Sequence, residues 1–336
     1  MSNLLEVEDL TIQYKTRDAS VQAVTDATFS VEENQFVGLI GESGSGKTTI
    51  GEAILGLMDD NGEIASGKVR YKGEEIQDYS EEEFQSKLRW SEISLIPQAS
   101  MNSLDPIDPL DQQAIELAKT HTDWSKQKIL TRLQELFEIV GLPADRITDY
   151  PFQFSGGMQQ RAVIAFSLLL DPEIIIADEP TTALDVIMQD QIFKYINDIK
   201  DENNTSMILI THDISVVFEN CDTMVLLHSG HIAERGNIKE IYRDPRHPYS
   251  ILLEESFPDI RSPDKSLAII DGKPPVIQEG VDMCTFAERC PWANDDCFDE
   301  LPNLEPVAGD ENHYTSCMRA EELDALVEGS DVAGDD

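Results

Sequence analysis

Apolar and polar residues alternate along the first forty residues of the chain and then give way to a short apolar run. The alternation over 4–14 and 22–40 predicts β-strands, and the end of the second stretch, 36–40, is apolar apart from one glycine. A helical spacing of apolar residues follows over 50–57, and residues 66–77 have the pattern of another antiparallel strand with a turn. The chain is therefore predicted to begin with antiparallel strands and to place a buried strand directly before a helix.

The middle of the chain has the pattern of helices, and beyond it strands and helices alternate. Apolar residues at helical spacing predict helices over most of 105–140 and over 162–170. The alternation that follows predicts strands at 174–177, 207–210 and 224–227, with helices at 186–200 and 214–220. Such alternation is typical of a parallel sheet that is covered by helices.

Prolines change the character of the chain after the last of these strands. Pro245, Pro248, Pro258 and Pro263 lead to the interpretation of 235–262 as a linker-like stretch. The segment 263–320 holds four of the five cysteines, and the acidic end, 321–336, is expected to be frayed.

Length and hydropathy favour a globular protein with more than one domain. A chain of 336 residues, of which 40% are hydrophobic, suggests two or three domains with ample core. No run approaches the roughly 18–20 apolar residues of a membrane span. The first residues lack a basic region followed by an apolar stretch, so no secretory signal is expected. We therefore expect a cytosolic chain that does not itself cross a bilayer.

The charge is strongly acidic, with 65 acidic and 25 basic residues and a formal net charge of −40. Acidic residues exceed basic ones in every part of the chain, so the charge forms a coat and not a tail. The coat disfavours nucleic acid and anionic lipid as partners. It resembles the surface of proteins from extreme halophiles, where salt screens the self-repulsion, and the alternative is merely a soluble acidic protein.

A glycine-rich segment lies between the first apolar strand and its helix. Gly41-x4-Gly46-Lys47-Thr48 has the spacing and the strand–loop–helix context of a phosphate-binding loop. Its backbone N–H groups can face one anion at the helix N-terminus, Lys47 can reach the β- and γ-phosphates, and the Thr48 hydroxyl can ligate Mg²⁺. The predicted nucleotide-binding residues of this loop are Gly41, Ser43, Gly44, Ser45, Gly46, Lys47, Thr48 and Thr49.

Two further predicted strands end in side chains that suit nucleotide hydrolysis. Asp178 suits a Mg²⁺ contact, and Glu179 suits orienting or deprotonating the attacking water. His212 follows the next strand, at the edge where parallel sheets bind ligands. Taken alone, the acidic pair is also compatible with a helix N-cap, and the histidine with a capped surface residue.

A second anion-facing helix start is predicted far from the first in sequence. Ser155 has the position of an N-cap, and Gly156 and Gly157 leave the helix N-terminus open to an anion. The alternative is an ordinary capped helix.

Together these segments resemble the nucleotide-binding subunits of ABC transporters. Residues 41–48 resemble Walker A, 174–179 Walker B, and 155–159 the family signature. Three further positions match by type and order: Gln98 the Q-loop glutamine, Ala183-Leu184-Asp185 the D-loop, and His212 the switch histidine. Tyr14 is placed like the aromatic residue that stacks on adenine, and the resemblance covers about 1–235.

Further segments resemble the dipeptide/oligopeptide importer branch. They are Asn102-Ser103-Leu104-Asp105-Pro106, Thr181 to Val186 with Gln189 and Gln191, His247-Pro248-Tyr249-Ser250, and Asp271 to Pro275. Two departures are Ala99-Ser100, where Asp-Pro is often found, and Gln159, where arginine is frequent. Neither departure removes a catalytic group.

The resemblance implies an α/β fold with a P-loop nucleotide-hydrolase core, an antiparallel β subdomain and a helical signature subdomain. It assigns 1–235 to the ATPase, with the helical subdomain at about 100–165, and 236–320 to a small cysteine-rich C-terminal extension. The acidic tail is 321–336.

For function, the resemblance implies a transport-coupled ATPase that binds ATP and Mg²⁺, with Gln98 beside Thr48 as a magnesium ligand. Glu179, His212 and Gln98 would be catalytic. Two ATPase chains, identical or paralogous, would pair head-to-tail, with Ser155, Gly157 and Asp185 facing the partner's nucleotide. Two membrane permeases would dock near Gln98 at the cytoplasmic face of the membrane, and an extracellular binding protein would act indirectly.

Four cysteines, Cys284, Cys290, Cys297 and Cys317, lie within one short segment. A cytosolic protein should not need disulfides, so the cluster suggests a metal. Spacing alone leaves zinc and an iron–sulfur cluster open, and unligated or disulfide-bonded thiols are a further alternative. The segment, with His313, resembles the C-terminal cysteine region of dipeptide-importer ATPases, which implies a [4Fe–4S] cluster of structural role. Cys221, by contrast, is predicted to be a buried core thiol.

Other classes of function remain open at this stage. One is an ABC ATPase without membrane partners, although a single cassette without a heptad run disfavours it. Another is a regulatory module that binds ATP without hydrolysis, which Glu179 and His212 disfavour. Within the importer branch, peptides, nickel and sugars are all candidate cargo.

Overall fold

The structure is a computed structural model that describes residues 3–17, 19–98, 103–181, 184–255, 272, 275, 281–310 and 312–328. Several segments named above lie outside these residues. They are Ala99, Ser100 and Asn102 beside Gln98, Thr182 and Ala183 of the predicted D-loop, and Pro258, Pro263, Asp271, Lys273 and Pro274 of the extension.

The described strands cover every predicted strand segment and include four that the pattern did not predict, at 93–96, 231–237, 305–306 and 314–315. In chain order they are β1 (Asn3–Lys15), β2 (Ser20–Glu32), β3 (Phe36–Gly41), β4 (Gly62–Tyr71), β5 (Glu74–Glu75), β6 (Ile93–Ile96), β7 (Ile174–Asp178), β8 (Ser206–Thr211), β9 (Thr223–His228), β10 (His231–Asn237), β11 (Glu305–Pro306) and β12 (Tyr314–Thr315).

The described α-helices are α1 (Lys47–Leu55), α2 (Glu81–Glu83), α3 (Leu110–His121), α4 (Lys126–Ile139), α5 (Gly156–Ser167), α6 (Val186–Asn203), α7 (Ile214–Asn220), α8 (Ile238–Arg243), α9 (Pro248–Glu255), α10 (Asp296–Asp299) and α11 (Leu323–Glu328). A π-helical turn, Phe84–Leu88, continues α2, and short 3₁₀ turns include Ala287–Arg289 in the cysteine segment.

The chain divides into two compact units. The first, which we call the helical unit, comprises 31–36 and 78–210. The second, the phosphate-loop unit, comprises 3–30, 37–77 and the described part of 211–336. Both units are interrupted in sequence, so neither coincides with a continuous domain.

The phosphate-loop unit contains an antiparallel sheet at the start of the chain. Its strand order is β2-β1-β4-β5, and β1 pairs antiparallel with β4, with Leu5 opposite Tyr71. Alternate β1 side chains such as Leu5 and Val7 are buried, while Glu6 and Glu8 are partly exposed. The alternation in sequence therefore reflects a sheet with one face in the core, and the predicted antiparallel subdomain is confirmed.

A second set of strands in the same unit carries the phosphate loop. The order is β11-β12-β10-β9-β3, and β3 runs parallel to β9, which places Gly41 beside Leu227. All six residues of β3 are buried, which explains its continuous apolar run. The loop after β3 leads directly into α1.

The helical unit contains three parallel strands in the order β8-β7-β6. Ile174 of β7 lies opposite Ile93 of β6 and Ser206 of β8. All five residues of β7 are buried, including Asp178 at its carboxyl end. The predicted parallel arrangement is confirmed here, and it carries the two predicted acidic residues to the end of the central strand of the three.

The interpretation of 235–262 as a linker is wrong for its described part. Residues 238–243 and 248–255 form α8 and α9, and Tyr249 is fully buried. Pro248 is the first residue of α9, where a missing N–H costs no hydrogen bond. The prolines therefore mark a helix start inside a packed segment.

A buried carboxylate holds this segment in place. Glu234 has no exposed surface and accepts hydrogen bonds from the backbone N–H groups of Arg246, at 2.7 Å, and His247, at 3.0 Å. The Ser250 hydroxyl also donates to Glu234, and Glu234 Oε1 is 2.6 Å from His313 Nε2. One side chain of β10 therefore joins the approach to α9 and the cysteine segment, because a buried carboxylate must find several donors.

The expectation of a frayed end is wrong in part. Residues 323–328 form α11, and Leu323 is buried, whereas 329–336 lie outside the described residues. Across the described part of the chain, no helix has the length and apolar character needed to cross a bilayer.

Candidate active site

The phosphate loop begins where β3 ends and closes where α1 starts. Gly46 is the N-cap of α1 and has a φ of 98°, in the region that favours glycine. A Cβ atom at this position would lie 2.5 Å from the carbonyl oxygen of Ala23. Backbone conformation and close packing therefore both require glycine here, independently of any ligand.

Lys47 turns back into the loop and is almost completely buried. Its Nζ atom donates to the carbonyl oxygens of Gly41 and Glu42, each at 2.8 Å, and lies 3.3 Å from Ser45 Oγ. Only 7% of the residue is exposed. The loop thus holds one ammonium group against its own carbonyls, at the place where the predicted phosphates would bind.

Part of the loop is open to solvent. Ser43, Gly44 and Thr48 are exposed, and Thr49 is partly exposed. Thr48 lies on the first turn of α1, which places a hydroxyl at the helix N-terminus, and an oxygen of this kind suits a Mg²⁺ ligand. The described geometry therefore leaves the predicted anion-binding face accessible.

Tyr14 lies beside the same helix. Its ring packs against Gly62, where a Cβ atom would be 2.9 Å from Tyr14 Cε1. Burial raises the pKa of the phenol, and its hydroxyl is hydrogen-bonded to the side chains of Thr49 and Glu52. The structure therefore places Tyr14 next to the first turns of α1, with its ring partly exposed.

In the helical unit the structure brings together two residues that are 81 positions apart. Gln98 Nε2 donates to Glu179 Oε2 at 3.1 Å. The backbone N–H of Glu179 donates to the carbonyl of Ile210 at 2.8 Å, and its φ of 46° turns the chain sharply away from β7. Asp178, only 5% exposed, precedes it. The hydrogen bond to Ile210 thus fixes the backbone of Glu179, and the hydrogen bond from Gln98 orients its carboxylate.

The predicted signature segment is a capped helix start. Ser155 Oγ accepts a hydrogen bond from the Met158 N–H at 3.4 Å, and α5 begins at Gly156. Gly156 and Gly157 are partly exposed, so the first N–H groups of this 12-residue helix remain accessible. Asp185 caps α6 in the same way, accepting from the Met188 N–H at 3.0 Å.

Two residues that the sequence did not single out hold this helix. Arg161 donates to the carbonyls of Gly141, at 2.7 Å, and Val140, at 3.2 Å, which closes the carboxyl end of α4. The buried Gln160 donates to the carbonyl of Pro180, one residue after Glu179. Only the polar character of 159–161 before an apolar helix could have indicated such roles.

The predicted site residues fall into two groups. Tyr14, the phosphate loop and the exposed His212, which follows β8, belong to the phosphate-loop unit. Gln98, Asp178, Glu179, the signature segment and Asp185 belong to the helical unit.

The four clustered cysteines line one small cavity. Its volume is about 20 Å³, and Phe286 and Trp292 also line it. None of the five cysteines, all of which are described, forms a disulfide. Burial raises the pKa of the Cys284 thiol, and it raises the pKa of Cys290 to about 11 and of Cys317 to about 12. These three thiols are therefore protonated at neutral pH.

This cavity offers the donors of a thiolate metal centre but not a finished ligand set. Within the described residues, no group of three or more His, Cys, Asp or Glu side chains is arranged to hold a metal ion. The cavity volume is about that of one water site, which suits a single ion; a larger cluster would require the lining side chains to move. Four thiols are suitable donors for a metal ion, and binding of the metal would have to displace the thiol protons.

An open phosphate loop, a strand that ends in two carboxylates and a glutamine that contacts the second of them define an ATPase of the ABC class. Comparison with known families agrees. A family model described as "ABC transporter" matches residues 24–182. A second, described as "Oligopeptide/dipeptide transporter, C-terminal region", matches residues 233–297.

Curated relatives extend the match over most of the chain. An oligopeptide transport ATP-binding protein, OppD, of Haemophilus influenzae is 38% identical over 88% of this chain and 92% of its own length. A dipeptide transport ATP-binding protein, DppD, of Lactococcus lactis is 40% identical over 89% of this chain and 86% of its own length.

Among solved structures, the dimeric ATP-binding cassette MJ0796 in a post-hydrolysis state bound to ADP and Pi has a TM-score of 0.62. It is 25% identical, and the match covers 70% of this chain and 98% of that one. This chain therefore belongs to the ABC transporter ATP-binding proteins, in the branch with the oligopeptide/dipeptide transporter C-terminal region, and it is an ATPase.

Proposed function

We propose that this chain is the ATP-hydrolysing subunit that energises peptide import by an ABC transporter. The observation that carries the hydrolytic part is the 3.1 Å hydrogen bond between Gln98 and Glu179, because it orients a carboxylate at the end of β7. The peptide part is supported by the relatives, which are named for oligopeptide and dipeptide transport. These names favour peptides over nickel or sugars.

Each predicted residue has a role in this proposal. Lys47 and the loop N–H groups bind the phosphates, and Tyr14 stacks on the adenine. Thr48 and Gln98 hold Mg²⁺, with Asp178 as a further contact, and the ion neutralises charge on the β- and γ-phosphates when it is bound. Glu179 accepts a proton from the attacking water, and His212 contacts the γ-phosphate side of the nucleotide.

The signature segment makes functional sense in a dimer. We infer that Ser155, Gly156 and Gly157 face the nucleotide of a second ATPase chain, a paralogue or a copy, and that Asp185 lies at the seam. The support is that α5 starts at an exposed, Ser155-capped N-terminus, which can bind an anion, although no phosphate loop precedes this helix. A dimer as such is also the form in which a similar cassette was solved.

Membrane attachment is proposed through the helical unit. Two permease subunits would dock near the Gln98 loop and hold the chain at the cytoplasmic face of the membrane, with an extracellular binding protein acting through them. Ile107 and Phe152, 77% and 70% exposed, supply apolar surface in this unit. The ATPase would span 1–235, with the helical subdomain at about 100–165, the extension 236–320 and the acidic tail 321–336.

We further propose that Cys284, Cys290, Cys297 and Cys317 hold a structural metal centre, a [4Fe–4S] cluster or zinc. Their common cavity and the absence of disulfides support thiolate ligation. The acidic coat, finally, is proposed as an adaptation to concentrated salt, since a net charge of −40 repels itself unless ions screen it.

The cargo can be tested with the complete transporter. The chain, assembled in vesicles with its permeases and binding protein, should hydrolyse ATP several-fold faster when short peptides are added, because closure of the ATPase dimer is coupled to loaded permeases. Nickel and sugars should leave the rate unchanged. Stimulation by nickel or a sugar, with no effect of peptides, would exclude the peptide assignment.

The metal centre can be tested by elemental analysis of the chain purified without oxygen. A cluster would give about four iron and four sulfide per chain, and a zinc site about one zinc. Cys290→Ser should lose the metal, while the control Cys221→Ser, at a buried thiol outside the cluster, should keep it. A wild-type chain without iron or zinc would contradict this proposal and leave the ATPase assignment intact.

The salt adaptation predicts a rising thermal midpoint of unfolding between low salt and about 2 M KCl, because screening relieves repulsion among the carboxylates. Calorimetry at several KCl concentrations measures it. A midpoint that is constant or highest in dilute buffer would show that the acidic coat has no such role.

A further inference from the structure

The cysteine segment reaches the phosphate loop through one ion pair. Arg289, the residue before Cys290, donates from Nη2 to Glu42 Oε1 at 2.7 Å and from Nη1 to Glu42 Oε2 at 3.2 Å. Only 6% of the Arg289 side chain and 28% of the Glu42 side chain are exposed. A paired, largely buried contact of this kind is stronger and more directional than a surface ion pair.

Glu42 is the second residue of the phosphate loop, so its position affects the loop directly. Its carbonyl oxygen accepts a hydrogen bond from Lys47 Nζ at 2.8 Å, and its carboxylate is held by Arg289. Glu42 is therefore held at two points: Lys47 binds its carbonyl oxygen, and Arg289, from the cysteine segment, binds its carboxylate.

The guanidinium of Arg289 is itself held in place. Nη1 lies 3.1 Å from His228 Nε2, and His228 Nδ1 lies 3.0 Å from Thr285 Oγ1. Burial lowers the pKa of His228 to about 3, so the ring is neutral and its Nε2 accepts from the arginine. The arginine is thus positioned by β9 and by the cysteine segment.

An aromatic cluster fills the space behind this contact. The ring of Phe286 lies 5.2 Å from the ring of His228 and 5.3 Å from that of Tyr249, and Phe286 also lines the cysteine cavity. The cavity and the phosphate loop are therefore connected by packed side chains, with Arg289 at the end that faces the loop.

We propose that Arg289 is a positioning residue for ATP, which orients and neutralises Glu42 and so makes the C-terminal segment part of the nucleotide site. The proposal rests on the assigned ATP site. Without Arg289, a partly buried carboxylate would remain uncompensated in a loop that must bind a polyanion, so the loop would bind nucleotide more weakly.

The test is a comparison of MgATP dissociation constants for four full-length chains: wild type, Arg289→Ala, Glu42→Gln and the double variant. Arg289→Ala should bind about tenfold more weakly, because a charge-assisted pair is lost and a charge is left unpaired. Glu42→Gln loses the ion pair but leaves no carboxylate facing the nucleotide, so its dissociation constant should lie between those of wild type and Arg289→Ala. The double variant should recover to within about threefold of wild type, since the unpaired carboxylate is gone.

A matched control uses an exposed ion pair on the same segment. Arg319 Nη2 lies 2.8 Å from Glu322 Oε2, and the Glu322 side chain is 63% exposed. Glu322→Gln should leave the dissociation constant unchanged. Arg289→Lys, which keeps the charge but loses the paired geometry, should be intermediate and replaces Arg289→Ala if that variant does not fold.

Two results would overturn the proposal. One is an Arg289→Ala or Arg289→Lys chain that binds MgATP as tightly as wild type. The other is a loss that Glu42→Gln does not rescue, which would mean that Arg289 supports only the fold. A wild-type chain that does not bind MgATP would contradict the ATP site itself, and this outcome is distinct from both.

Discussion

The site depends on one ammonium group that is held inside the phosphate loop of a strongly acidic chain. Lys47 is buried in the phosphate loop, and its ammonium contacts two loop carbonyls at 2.8 Å. With a net charge of −40, the protein on average repels a polyanion, so we infer that nucleotide binding depends on this ammonium, the backbone N–H groups of the loop and a divalent ion. The left-handed Gly46 and its contact with Ala23 keep these groups in place.

Several carboxylates of this acidic chain are held by specific hydrogen-bond donors. Glu179 is oriented by Gln98, and Glu42 by Arg289, while Glu234 is buried among four donors that join α9 to the cysteine segment. A carboxylate without such partners would repel the nucleotide or destabilise the fold. The C-terminal region is then more than an appendage, because it supplies a cation to the loop.

The sequence predicted those features that depend only on neighbouring residues. The phosphate loop, the Ser155 cap and the strand that ends at Asp178 follow from glycine conformation, capping and buried apolar runs, and the structure contains all of them. Arg289 and Glu42 are 247 residues apart, so no periodicity or motif links them. The linker prediction for 235–262 failed because a proline that starts a helix and one that breaks it give the same sequence pattern, and only packing around Glu234 distinguishes them. Donor chemistry at the cysteines was likewise predictable, but the arrangement of the thiols was not.

The role of Glu179 is tested by the rate of MgATP hydrolysis by Glu179→Gln, measured together with its affinity for MgATP. We expect wild-type affinity and a rate lower by at least about 100-fold, because the proposed site assigns binding to the phosphate loop and proton transfer to Glu179. Glu173→Gln, an exposed position just before β7, should hydrolyse normally. A Glu179→Gln chain that hydrolyses ATP at the wild-type rate would contradict the account.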